Sequence, residues 1–173
     1  MSAHMAFLLV RLLHVVTATL WVGAAVTVAV SIAPAVRATG SAGAAVLRHL
    51  MQIQRLPYAV IALGLIAILS GAYLMWEISN GALAPWSHTA SGRTYLVGAA
   101  SALTAGLIGG AVNIPLASRI AVIAGQVSKT AGAPTTEQSD KMRHLSERLI
   151  LGARVVAVLL IISTSSMAVA RYL

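Results

Sequence analysis

The chain has 173 residues, of which 58% are hydrophobic and only 9% are charged. A soluble domain carries about 25% charged residues, so the composition excludes an ordinary soluble protein and predicts a single integral membrane domain. Because the chain has no cysteine, disulfides, thiolate metal sites and cysteine catalysis are excluded. The formal net charge of +8 fits basic loops beside a membrane, so we expect the lipid bilayer as a partner and no nucleic acid.

Four apolar segments follow one another along the chain, at about residues 6–35, 57–76, 95–116 and 149–170. Each approaches or exceeds the roughly 20 residues that cross the hydrocarbon core, where only helices satisfy their own backbone at such lengths. The sequence therefore predicts an all-α fold over residues 1–173, a bundle of four transmembrane helices. We also expect helical extensions of the second span, over residues 44–56, and of the fourth, capped by Thr135 or Thr136.

Positive charge is concentrated in the first and third connections between spans. The second connection, residues 77–94, holds Arg93 as its only Lys or Arg. Since cytoplasmic loops carry the excess of Lys and Arg, the first and third connections are predicted to be cytoplasmic. Both termini then lie on the outer, periplasmic side of a bacterial-type cytoplasmic (inner) membrane. Trp76, Trp86 and Tyr95 around the second connection fit an outer aromatic belt.

The first span carries a histidine at membrane depth, where ionisable side chains are costly and commonly functional. One helix face is shared by Arg11, His14, Ala18, Trp21 and Ala25. Such a face suits a flat, anionic, metal-containing ligand, because imidazole binds the metal, alanines leave room and guanidinium pairs with a carboxylate. The alternative is that His14 only hydrogen-bonds a neighbouring helix or faces interfacial water.

The remaining histidines divide between the two sides of the membrane. His88, in the second connection, lies on the same side as His14 and is a candidate to approach it. His49 and His144 lie on the cytoplasmic side and are candidates to approach each other. Two histidines on one side are able to ligate a haem iron or a copper ion. The alternatives are an exposed loop position for His88 and solvated or headgroup-facing positions for His49 and His144.

Few other ionisable groups lie within or beside the spans. Arg154, one to two turns inside the fourth span, either snorkels to the interface or pairs with a carboxylate, a propionate or Asn113. Glu77, at the outer end of the second span, is a candidate counter-ion for Arg11 or Arg93. The chain has only four carboxylates and no nucleophile–base pair, phosphate loop or zinc motif, so soluble-type hydrolytic catalysis is not expected.

The third span carries two stripes of small residues at four-residue spacing: Gly98, Ala102, Gly106 and Gly110, and Ser101, Ala105, Gly109 and Asn113. Small residues at this spacing let helix backbones approach closely, so we expect this span at the packed centre of the bundle. Two alternatives remain: the stripe clears space for a flat cofactor, or one stripe is an interface with a second copy or another subunit.

The first span resembles a known pattern through a basic residue, a leucine–histidine pair and a following tryptophan, that is Arg11-Leu12-Leu13-His14 with Trp21, Gly23, Pro34 and Arg37. It is similar to the first helix of the copper-resistance D-like membrane proteins and of the bacterial membrane-bound protoporphyrinogen oxidases. The second span, from Gln54 to Trp76, is similar in outline, so the resemblance covers about the first half of the chain. In the oxidase family the first-helix histidine is implicated in b-type haem binding, which implies that role for His14.

The function predicted from these residues and this resemblance is b-type haem binding in membrane redox chemistry or electron transfer. His14 is the expected axial ligand, His88 a second ligand, Arg11 a propionate partner and Trp21 a side chain packed against the macrocycle. The alternatives are a non-catalytic accessory or assembly subunit of a larger membrane complex, and copper or small-solute transport. A redox partner and a homo-oligomer are further expected partners.

Overall fold

The computed structural model describes residues 3–129 and 133–173, and this part of the chain is helical, with no β-strand. Its α-helices are α1 (Ala3–Thr27), α2 (Ala33–Thr39), α3 (Ser41–Arg48), α4 (Leu56–Ile78), α5 (Leu83–Trp86), α6 (Ala90–Ile108), α7 (Ile114–Lys129) and α8 (Thr136–Ala170). π-Helical turns lie between α1 and α2, between α3 and α4, and between α6 and α7, at Val28–Ile32, His49–Ile53 and Gly109–Asn113.

Four helical stretches of the described residues are long and apolar enough to cross a membrane: His4–Thr39, Leu56–Ile78, Ala90–Lys129 and Thr136–Ala170. Each contains one of the four predicted spans, which confirms an all-helical chain with four such helices. Large apolar side chains such as Leu69, Leu107 and Leu151 are exposed on the outside of these helices. An apolar exterior of this kind is what a surrounding lipid phase requires.

The long helices pack as two hairpins. α1 lies along α4 and α6 lies along α8, while α1 meets α8 and α4 meets α6 through smaller contacts. The order around the bundle is therefore α1, α4, α6 and α8, as in an up-down-up-down bundle. Its central cluster consists of Trp21, Ala67, Ala105, Val156 and Leu160.

A second helical layer continues the bundle at the end opposite the termini. We call this layer the extension; it comprises α2, α3, α7 and the first part of α8, residues 136–150. It has its own core of buried apolar residues, which includes Val36, Leu47, Ile120, Met142 and Leu149. The extension therefore adds a packed region in which α4 takes little part.

The predicted extension of the fourth span is confirmed. In the predicted extension of the second span, residues 44–53 are helical as expected, but they do not continue into α4. Thr135 caps α8: its hydroxyl accepts the backbone N–H of Gln138, whose side chain accepts the N–H of Thr135. Arg55, by contrast, has a left-handed backbone conformation with φ 50°, which breaks the helix just before α4 begins. α3 is consequently a separate helix packed on α2 and α7. The helices that continue into the extension are instead those of the first and third spans, which run on to Thr39 and Lys129.

Prolines account for the π turns of the first and third spans. In each turn the closing N–H reaches a carbonyl five residues back, Ala33 to Val28 and Ile114 to Gly109. The residue after each donor is a proline, Pro34 or Pro115, which has no N–H and whose ring crowds the carbonyl four residues before it. The wider turn relieves this crowding while the helix continues.

Candidate functional site

His14 joins the first two spans through a side chain to backbone hydrogen bond. Its Nδ1 lies 2.8 Å from the carbonyl oxygen of Ala67 and 3.2 Å from the hydroxyl of Ser70. A carbonyl oxygen only accepts hydrogen bonds, so Nδ1 carries the proton and donates it. In the neutral imidazole the free lone pair is then on Nε2. His14 does hydrogen-bond a neighbouring helix, and this bond leaves Nε2 without a partner among the described residues, so the choice between a purely structural histidine and a ligand stays open.

The absence of a side chain at Gly71 makes room for the imidazole. A β-carbon at position 71 would lie 2.9 Å from Cε1 of His14. Gly71 is about two turns from the end of α4 at Ile78, which at 1.5 Å per residue is about 10 Å. His14 thus lies well inside the bundle, in the half that is nearer the termini.

Buried hydroxyl groups surround this half of the bundle interior. Thr17 and Ser70 are buried beside His14, and Ser163 is buried on α8. Thr17 donates to the carbonyl of Leu13 and Ser70 to that of Ile66, so both hydroxyls are satisfied within their own helices. The interior around His14 is therefore more polar than the central cluster near Trp21.

Trp21 lies at the centre of the bundle, two turns from His14. Its indole ring is buried, and β-carbons at Gly64 of α4 and Gly106 of α6 would lie 3.0 and 3.8 Å from it. The structure therefore places this side chain in the protein core, where it fits against two glycines.

Arg11 and His88 are exposed at the same end of the bundle. Arg11 lies one turn before His14 in α1, and it forms no salt bridge with another described residue. His88 lies in the short connection between α5 and α6, where its backbone N–H donates to the Pro85 carbonyl. The structure does not bring His88 into hydrogen-bond contact with His14, whose described bonds go to Ala67 and Ser70.

His14 offers a single imidazole, and haem and a bare metal ion make different demands on such a donor. Among the described residues no group of three or more His, Cys, Asp or Glu side chains is arranged to hold a metal. A copper ion needs several protein ligands, whereas haem brings four nitrogens and requires one or two axial ligands from the chain. A single imidazole with an oriented Nε2 meets that smaller requirement.

The other predicted polar pairs have different partners. His144 lies 3.9 Å from Glu147 within α8, while His49 is exposed in a π turn. Glu77 interacts electrostatically with Tyr73 on its own helix and forms no salt bridge with either predicted arginine in the described structure. Arg154 is exposed on α8, as expected for a side chain that snorkels.

The third-span stripe serves packing within the chain. A β-carbon at Gly98 would lie 3.0 Å from Met167 of α8, and Gly106 faces Trp21. Close packing inside the bundle is thus confirmed at these two glycines. Gly110, by contrast, has no atom within 4 Å of its β-carbon position, so the stripe is not used along its whole length.

Sequence reasoning missed the main contact of Asn113. Its side-chain oxygen occupies the space where a β-carbon at Gly152 of α8 would lie, and it is buried without a hydrogen-bond partner in the described structure. The available signal was the pairing of a polar residue in one span with a lone glycine in another. Nothing in the sequence says that these two positions meet.

No known protein-family model, curated protein or solved structure matches this chain. The resemblance of the first span to the copper-resistance D-like and protoporphyrinogen oxidase families therefore stays an expectation.

Proposed function

We propose that this chain is an integral protein of a bacterial-type cytoplasmic membrane that binds b-type haem and takes part in membrane redox chemistry or electron transfer. The observation that carries the proposal is the hydrogen bond from Nδ1 of His14 to the Ala67 carbonyl. Metal-binding histidines commonly hold their second nitrogen in this way, because it fixes the tautomer and orients the ring. Nε2 of His14 would then hold the haem iron.

The neighbouring residues supply complementary roles. A bound haem would supply one-electron chemistry at its iron. Arg11, exposed one turn nearer the end of α1, pairs with a propionate carboxylate. His88, exposed at the same end, is the candidate for a second residue that would hold the iron. Trp21 packs in the core against α4 and α6 and so fixes the position of α1, which carries His14.

The proposed topology places both termini on the outer, periplasmic side and His14 in the outer half of the membrane. It rests on the excess of Lys and Arg in the connections at the extension end. The cysteine-free chain allows a direct test with single cysteines and a membrane-impermeant maleimide on intact cells. Cysteine at Ala84 of α5 should be labelled and cysteine at Ala42 of α3 should not; the reverse pattern overturns the orientation.

Absorption spectra of the detergent-purified chain, oxidised and dithionite-reduced, test haem binding. The wild type should show a Soret band and reduced α and β bands, and His14→Ala should lose them. His144→Ala, at the far end of the molecule, is the matched control and should keep the wild-type spectrum. A folded, haem-supplied preparation without porphyrin, or a His14→Ala spectrum equal to the wild type, would contradict the proposal.

A further inference from the structure

The extension contains a cleft that the haem proposal does not use. It lies between α2, α3 and the first part of α8 and has a volume of about 220 Å³. Buried apolar side chains form its floor and polar side chains form its rim. The floor includes Val36, Ala44 and Met142, and the rim includes Arg37, Ser41 and Arg143.

Both arginines of the rim are only loosely paired. Arg37 lies 3.6 Å from Glu147 and Arg143 lies 3.4 Å from Asp140, and all four side chains are about half exposed. Charge-assisted hydrogen bonds are about 2.7–2.9 Å long, and exposed pairs of this kind contribute little stability. Both guanidinium groups are therefore available to a stronger anion.

Two further donors line the same cleft. α3 begins at Ser41 after Gly40, which has no side chain to cap it, and Gly40 and Ser41 both line the cleft. An uncapped helix N-terminus attracts anions through its free N–H groups. Independently, Ser146 lines the cleft although only 4% of it is exposed, and its hydroxyl has no hydrogen bond to another described residue.

We propose that this cleft binds a phosphate-type oxyanion, either the free ion or the headgroup phosphate of an anionic lipid. Arg37 and Arg143 neutralise its charge, the first turn of α3 and the Ser146 hydroxyl donate hydrogen bonds, and the apolar floor receives the carbon adjoining the phosphate in an ester. Lys and Arg outnumber Asp and Glu at this end of the molecule, which draws anions towards the cleft.

The test compares two charge-matched double variants of the full chain in a neutral detergent at constant ionic strength. Binding of inorganic phosphate, and of phosphatidylglycerol against phosphatidylcholine, is followed by phosphorus NMR. Arg37→Gln with Arg143→Gln should weaken binding about tenfold or more, because two charge-assisted contacts are lost. Arg119→Gln with Arg148→Gln removes the same charge outside the cleft and should change affinity less than about threefold.

Saturable binding of inorganic phosphate identifies the free ion as a ligand, and saturable binding of phosphatidylglycerol alone identifies the lipid. Equal weakening in both double variants, or no saturable binding of either probe, overturns the proposal. Ser146→Ala keeps every charge and should weaken binding about fivefold with unchanged thermal unfolding; unchanged affinity would remove the hydroxyl from the site.

Discussion

The side chain of Asn113 fits against α8 only because Gly152 has no side chain. The amide oxygen of Asn113 lies against the backbone of α8 at Gly152, buried and without a hydrogen-bond partner in the described structure. A buried polar atom without a partner is costly, so the surrounding packing has to compensate for it. The contact therefore limits which residues position 152 accepts.

Gly152→Ala is expected to lower the free energy of unfolding by about 1–3 kcal/mol, because the new methyl group overlaps the Asn113 amide. Reversible unfolding of the detergent-solubilised chain measures this change. Gly109→Ala is the control: no atom lies within 4 Å of its β-carbon position, so its stability should change little. Adding Asn113→Ala to Gly152→Ala should recover most of the loss; a double variant as unstable as Gly152→Ala would contradict the overlap.

Gly71 controls the position of the His14 imidazole in the same way. Gly71→Ala should displace the ring from the Ala67 carbonyl, because the added carbon would lie 2.9 Å from Cε1. We expect a lower haem content and a shifted Soret band at nearly unchanged stability, since a side chain moves more easily than backbone. Gly23→Ala, in open space on α1, should leave the spectrum unchanged. Equal spectra for both variants would show that the orientation of the ring does not matter.

At the level of elements, the π turns let two spans pass a proline without breaking. The first and third spans both have a π turn, a proline directly after its closing residue and an arginine about one turn later, Arg37 or Arg119. This shared arrangement makes the two hairpins structural counterparts. A π turn accommodates one residue more than an α turn, so the helix after it is rotated relative to a regular helix.

Deletion of Ala111, inside the third-span π turn, should therefore be tolerated in a Pro115→Ala background, because without the proline ring the turn can close as an α turn with both flanking segments in register. Deletion of Leu103, an equally exposed position within α6, should rotate the rest of that helix by about 100° and disrupt its packing on α8. Expression and thermal unfolding of the two deletions measure the difference. An equal loss of expression and thermal stability in the two deletion variants would mean that the π turn holds no extra residue.

The sequence predicted those elements whose signal is local. Long apolar runs locate the four spans, and the Thr135 capping box marks the start of α8. The break at Arg55 was missed because a left-handed conformation at an arginine depends on the packing of the helices on either side. The prolines were visible, but only the structure shows that the helices pass them through π turns.

The candidate site was predictable to a similar extent. Membrane depth identified His14 as a notable residue, but its partner Ala67 offers a backbone carbonyl, and no sequence pattern marks that role. Helical spacing placed Trp21 on the same face of α1 as His14, but it did not indicate that the neighbours of Trp21 are the glycines of two other helices. Contacts between spans depend on rotation and depth, which a single sequence does not specify.

On the scale of the whole molecule, the two proposed sites occupy opposite ends. His14 lies among buried hydroxyls in the half of the bundle nearer the termini, and the basic cleft lies in the extension beyond the spans. The extension has its own apolar core, so changes there should leave the environment of His14 intact. Haem binding at His14 and anion binding in the cleft are therefore independent, and a negative result for one does not bear on the other.

The most direct test of the central claim is imidazole rescue of His14→Gly. The variant removes the ring and leaves a space beside Ala67 and Gly71 that free imidazole fits. We predict that the purified variant lacks the wild-type haem spectrum and that added imidazole, with haem supplied, restores the Soret and reduced α bands. N-methylimidazole, which has no N–H to donate to the Ala67 carbonyl, should restore them less well. A wild-type spectrum without imidazole would contradict the assignment of His14 as the ligand.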